Sequence, residues 1–184
     1  PQQLAVSLLG ATTDPVVPEL TPRYERGQVL DFWVGQTDSP TPTRITATLV
    51  GASGRAYIWV DNALGLGNVD ASSLAGQVGQ LYTFFRLRST YRVINLPDIG
   101  SVQDSTDLLP VPDVDNDPRL YVVFTNQLAD DRDALINPVD SLPTAYAPLG
   151  ISNQHETLFI TAIDGVALTD PAYAEAIAQG IRTF

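Results

Sequence analysis

Leu120-Tyr121-Val122-Val123-Phe124 carries no charged side chain, and four of its five residues are β-branched or aromatic. A strand of this composition, running from Arg119 to Asn126, is of the kind buried on both faces, so the fold must supply a layer on each side of it. The chain enters it through Pro112-Asp113-Val114-Asp115-Asn116-Asp117-Pro118. Three carboxylates at alternate positions crowd negative charge into that turn, which is costly unless a cation, an arginine or backbone N–H groups neutralise it.

A strand buried on both faces needs neighbours, and the preceding sequence provides them. Strands are expected over Gly27 to Val34, Arg44 to Val50 and Gly54 to Asp61, separated by proline and glycine turns. In the second, Ile45, Ala47 and Leu49 alternate with Arg44, Thr46 and Thr48; in the third, Tyr57 and Trp59 alternate with Ile58 and Val60. Phe32, Trp33, Tyr57 and Trp59 are read as a packed sheet face. Asp70 offers an N-cap, and Leu74, Val78, Leu81, Tyr82 and Phe85 recur on one helical face, which predicts a helix from Ala71 to Phe85. Residues 89 to 111 read as an irregular connection with a short strand near Tyr91 to Ile94.

Beyond the central strand, the acidic group Asp130, Asp131 and Asp133 leads into a proline-punctuated loop over residues 137 to 148. A further strand follows over Glu156 to Ile163, and Thr169-Asp170-Pro171 opens a closing helix through Tyr173 and Ile177. The expected fold is α+β (or α/β), a mixed sheet with two main helices. Residues 27 to 184 are expected to form one domain and residues 1 to 26 an extended N-terminal arm, kept from a long helix by Pro15, Pro18 and Pro22. The arm's apolar segment Leu4 to Leu9 either adds an edge strand to its own domain or is donated to a neighbour.

Composition narrows the function classes. With 184 residues, 44% of them hydrophobic, the chain can bury a single core. No apolar run approaches the ~20 residues that span a bilayer. A net charge of −11 argues against nucleic acid and anionic membrane and favours cations as small partners. There is no cysteine to form a disulfide. The absence of methionine leads us to expect processing at the N-terminus by removal of a secretory signal, hence an extracellular or cell-surface location. All ten basic residues are arginine, and with 14 prolines this pattern fits a heat-adapted chain.

Asp113, Asp115 and Asp117 have the alternate spacing by which calcium loops turn oxygens inward, with Asp104 or Asp107 as further donors, and calcium is the candidate cofactor. Pro118 and Phe124 stand where an EF-hand needs glycine and glutamate, so this is not an EF-hand. The competing reading is a turn in which the aspartates bond their own backbone and pair with Arg119. His155-Glu156 could serve acid–base chemistry, but with no nucleophile or third group beside it, it reads as a histidine hydrogen-bonded at a strand entry.

The order of six segments resembles the N-terminal half of hyicolysin-type secreted zinc metallopeptidases. These are Asp31 to Val34, Ala47 to Leu49, Tyr57 to Asp61, Leu74 to Phe85, Asp113 to Tyr121 and Ser152 to Ile160. The resemblance implies that the helix after the last strand carries His-Glu-x-x-His, two imidazoles for zinc and a glutamate for the bound water. Here that position reads Gln179-Gly180-Ile181-Arg182-Thr183. Zinc and peptidase activity are therefore not expected, and no catalytic residue is assigned.

A scaffold without its catalytic motif points to a structural or binding role. The expectation is an extracellular, catalytically inert, peptidase-like domain that self-assembles into a homo-oligomer or polymer. Its contacts would be Leu4, Val6, Leu8 and Leu9 on the arm and Tyr173, Ile177, Ile181 and Phe184 at the C-terminal face. The alternatives are the N-terminal portion of an active metallopeptidase cut before its zinc helix, and a calcium-stabilised adhesion module.

Overall fold

The computed structural model describes residues 23–35, 41–94, 115, 117–128, 132–141, 144–145, 147 and 150–183. They form an α+β fold built on one six-stranded mixed sheet. Its strands are β1 (Val29–Val34), β2 (Thr43–Ala52), β3 (Ala56–Asp61), β4 (Leu120–Thr125), β5 (Ala134–Ile136) and β6 (Thr157–Thr161). They lie in the order β1-β2-β3-β4-β6-β5. β3, β4 and β6 run parallel in the middle, and antiparallel pairs flank them. The all-apolar run is thus the central strand β4, buried at every position because side chains of both parities meet a packed layer.

Two helices cover one face: α1 (Ser72–Ile94) and α2 (Ala172–Thr183). Ile58, Val60, Val122, Phe124, Leu158 and Ile160 point from the sheet into this layer and meet Leu74, Val78 and Tyr82 of α1. Tyr173, Ile177 and Ile181 of α2, spaced four residues apart on one stripe, complete it. These three side chains are 2–3% exposed. The reading of Tyr173, Ile177 and Ile181 as assembly contacts is corrected accordingly: the stripe is consumed by the chain's own core.

Both helices start on aspartate caps. Asp70 Oδ1 accepts from the N–H of Ser72 and Asp170 Oδ1 from that of Ala172, at 3.0 and 2.9 Å. α1 runs nine residues past the predicted Phe85, so Tyr91 to Ile94 are helical where a short strand was expected. Its glycines do not break it, because one is a contact point: a Cβ at Gly79 would sit 3.0 Å from both Arg55 Cβ and Ser53 Oγ in the β2–β3 turn. Strand β5 has no counterpart in the sequence reading, since three residues show no period.

The other face is aromatic. Phe32, Tyr57, Trp59, Tyr121 and Phe159 point into it together with Ile45, Ala47, Leu49, Val123 and Leu128. Tyr24 lies on top, its ring edge-on to Tyr57 and Trp59 at 5.5 Å each and to Tyr121 at 6.2 Å. Residues 23 to 26 therefore pack on the domain, although the sequence reading assigned them to the arm. Trp33 lies on the opposite side of β1 from Phe32, half-buried, with the Arg44 guanidinium 6.0 Å from its ring.

Candidate functional site

Two aspartates of the acidic turn organise the edge of the aromatic face. Asp115 Oδ2 accepts from the Tyr121 hydroxyl at 2.9 Å and lies 2.8 Å from His155 Nδ1. An ionised carboxylate can only accept, so this contact places the imidazole proton on Nδ1. The His155 ring lies flat on Tyr121 and 6.5 Å from Phe32. Arg23 approaches from the N-terminal side, its guanidinium donating to the Asp115 carbonyl at 3.2 Å. Burial, followed by the Asp115 charge, pushes the Tyr121 phenol far above its usual range, so the hydroxyl remains a donor.

Asp117 faces inward. Its Oδ1 takes Arg119 at 2.7 Å and its Oδ2 takes the Tyr57 hydroxyl at 3.0 Å, with both members of the ion pair 3% exposed. Arg119 is held in turn by the Ser53 carbonyl and stands 5.4 Å from the Tyr57 ring. Tyr57 accepts the Arg23 N–H at 2.8 Å, and burial raises its pKa to about 12. The Asp117 N–H donates to Asp115 Oδ1 at 3.2 Å, which closes an Asx turn. This is the arrangement of the competing reading, aspartates bonding their own backbone and pairing with Arg119.

Of the three carboxylates proposed for calcium, Asp115 and Asp117 are turned to different partners rather than to one point. Asp113, Asp104, Asp107, Asp130 and Asp131 lie outside the described residues, as do Leu4, Val6, Leu8, Leu9 and Phe184. Among the described residues no group of three or more His, Asp or Glu side chains is placed to hold a metal ion.

A third cluster went unread in the sequence. The segment Ser152 to Glu156, just before β6, crosses the aromatic face and reaches β1. There the Asn153 side chain accepts from the Trp33 N–H at 2.6 Å and donates to the Trp33 carbonyl at 2.8 Å. It satisfies the strand edge as one residue of a further strand would. Asp140 sits behind it, 2% exposed, taking hydrogen bonds from Asn153 while its Oδ2 has no partner among the described residues. Burial drives its pKa up to about 7, against the lowering effect of the Asn153 bonds. The His155 N–H and the Ser152 hydroxyl both donate to the Asp140 carbonyl. Gln154 takes a left-handed φ of 60°, uncommon for a residue with a side chain, between these two anchors. No periodicity signals this cluster, because its partners are a backbone edge and a loop 120 residues apart.

The motif position on α2 lies on the other side of the sheet. Gln179 is exposed and donates to Glu175 Oε1 at 3.1 Å. Gly180 faces Leu158, where an added Cβ would overlap Cδ1 and lie 3.0 Å from Cδ2. Arg182 is exposed. The chain's one histidine stacks on Tyr121 on the aromatic face, so the sheet separates it from α2. These residues do not fit a zinc ion: an amide, a glycine and a hydroxyl replace two imidazoles and a carboxylate.

No helix among the described residues is long and apolar enough to cross a membrane. Neither a family model nor a curated protein matches this chain.

Proposed function

We propose that this chain is a catalytically inert, extracellular relative of the N-terminal half of hyicolysin-type zinc metallopeptidases, serving as a structural subunit that associates with copies of itself. The observation that carries the inert half is the packing at Gly180. The position where the resemblance requires a proton-transferring glutamate is turned into the core against Leu158, whose terminal carbons even an added Cβ would displace. A general base must reach bound water, and nothing at this position can. The structural half is supported by where the chain places its polar chemistry. The Asp115 and Asp117 networks tie the acidic turn, Arg23 and His155 to the aromatic face.

The test has two arms. The protein is titrated with zinc in a calorimeter and incubated with zinc and an unfolded protein substrate; neither stoichiometric zinc uptake nor cleavage is expected. Light scattering at micromolar concentration is expected to give a multiple of 19.8 kDa. Zinc-dependent cleavage would overturn the first half and a monomeric mass the second. The mass of the chain isolated from its source separates this reading from that of a cut metallopeptidase, which requires a chain longer than 184 residues.

A further inference from the structure

We propose that the outer edge of β1 is the acceptor site for this association and that its occupant is the segment Leu4-Ala5-Val6-Ser7-Leu8-Leu9 of a second copy, added as a seventh strand. This inference rests on the self-assembly reading and specifies its contact.

The backbone geometry defines the site. Leu49 N–H donates to the Gln28 carbonyl at 2.8 Å, so even-numbered residues of β1 bond to β2 and Val29, Asp31 and Trp33 turn their N–H and C=O groups outward. Asn153 takes both outward groups of Trp33. The outward groups of Val29 and Asp31 have no partner among the described residues. The edge thus begins with two open residues and ends where an amide side chain already imitates a paired strand. Exposed edges of this kind are templates for pairing with another chain. The opposite edge of the sheet is β5, three residues long, which is itself a protection against such pairing.

On the aromatic face the side chains beside the edge fit an apolar strand, while the opposite face of β1 carries the exposed Asp31–Arg44 ion pair. Val29 is 52% exposed, and Leu30 is only partly buried at the rim of the aromatic face. A six-residue segment equals β1 in length, and the period of two puts Leu4, Val6 and Leu8 together on one face, where they would extend the apolar layer past Leu30. Residues 1 to 13 contain no charged side chain, so the segment meets no side-chain repulsion from a chain of net charge −11.

The segment's own linker favours a second copy over the same one. Pro15, Pro18 and Pro22 lie between it and Arg23, and proline's fixed φ and missing N–H would favour a stiff linker over a turn back onto the chain's own β1. Donation in one direction, from each copy to the next, is a heterologous contact and makes open polymers unless the rotation closes a ring.

Two variants test this in the full chain. Asp31→Pro removes one outward N–H and leaves the backbone bonds to β2 intact, which an edge strand tolerates, at the loss of the Asp31 side-chain bonds to Arg44 and Thr46. Leu8→Asp places a charge in the donor segment and leaves the sheet untouched. Light scattering is expected to show an assembly for the parent and a 19.8 kDa monomer for both variants. In the parent assembly, the amide protons of Val29 and Asp31 are expected to exchange slowly with solvent, and in the Leu8→Asp variant quickly. If the parent assembles and Leu8→Asp assembles equally well, the edge proposal is overturned while the self-assembly reading stands. A monomeric parent overturns both, and slow exchange in that monomer would show the segment pairing within its own chain. Should Asp31→Pro fail to fold by circular dichroism, Leu8→Asp decides alone.

Discussion

Tyr121 lies flat against His155, ring centroids 4.2 Å apart and planes 5° from parallel, and both rings reach the same carboxylate oxygen of Asp115. One aspartate thus joins the central strand to the loop that crosses the aromatic face, and Asp115 is 7% exposed at its side chain.

Replacing Asp115 with alanine leaves the buried Tyr121 hydroxyl without its acceptor. The expected loss is about 1–3 kcal/mol, the cost of a buried unsatisfied group. Tyr121→Phe removes the donor instead and is expected to cost less, about 1 kcal/mol. Urea denaturation measures both, and the ordering fails if Tyr121→Phe is the more damaging change.

Tyr24 is the lid of the aromatic face, touching Tyr57, Trp59 and Tyr121 by ring edges. Tyr24→Ala is expected to destabilise by about 2–4 kcal/mol through lost apolar burial and ring contacts. Trp59, now fully buried, is expected to emit at longer wavelength as water reaches it. An unchanged emission maximum would place the lid function elsewhere.

Asp140 gives stability a pH dependence of defined sign. Its folded pKa of about 7 lies above the ordinary 3.8, so between those values the native state holds a proton that the unfolded chain has released. Stability from this group is full below about pH 4, falls as pH rises and levels off above about pH 7, with a total change of at most about 4 kcal/mol. Asp140→Asn keeps the acceptor and removes the titration. Melting temperatures from pH 5 to pH 8 are expected to fall in the parent and to fall less in the variant; parallel curves would assign the slope to other groups.

Gly180 sets a limit on installing a His-Glu-x-x-His motif on α2. Gly180→Ala overpacks against Leu158 and is expected to cost about 1–3 kcal/mol. Gly180→Glu additionally buries a carboxylate and is expected to prevent folding at moderate temperature rather than to confer activity. A folded Gly180→Glu variant with parent-like melting would show that α2 can rotate off the sheet.

The sequence made the sheet legible where one residue reports one face. The alternation in β2 and β3 and the unbroken apolar run of β4 carry their burial in their spelling, and all three strands are present. β5 was not legible because three residues are too few for a period. The continuation of α1 through Ile94 was missed because Tyr91, Val93 and Ile94 are strand formers locally, yet the helix extends through them. At the candidate site, the Asp117–Arg119 pairing was readable from a spacing of two. Asn153 and Asp140 were not, because their roles come from a backbone edge brought to them by the fold. The closing stripe Tyr173, Ile177 and Ile181 was correctly apolar but wrongly given to a partner, since sequence shows that a face must be buried and not by what.

Asn153 closing on Trp33 also bears on the order in which the chain becomes protected. β1 and β2 leave the ribosome before the rest of the sheet, and although Tyr24 precedes them, Asn153, which takes the Trp33 end of the edge, arrives 120 residues after Trp33. Long-range closure of this kind is slow, because its loop entropy is lost before its contacts form. For most of synthesis the first hairpin is an exposed apolar ribbon, and the interval before Asn153 emerges is when it is open to premature pairing. An Asn153→Ala chain is expected to refold with a lower soluble yield than the parent at equal concentration, even under conditions where both native states persist.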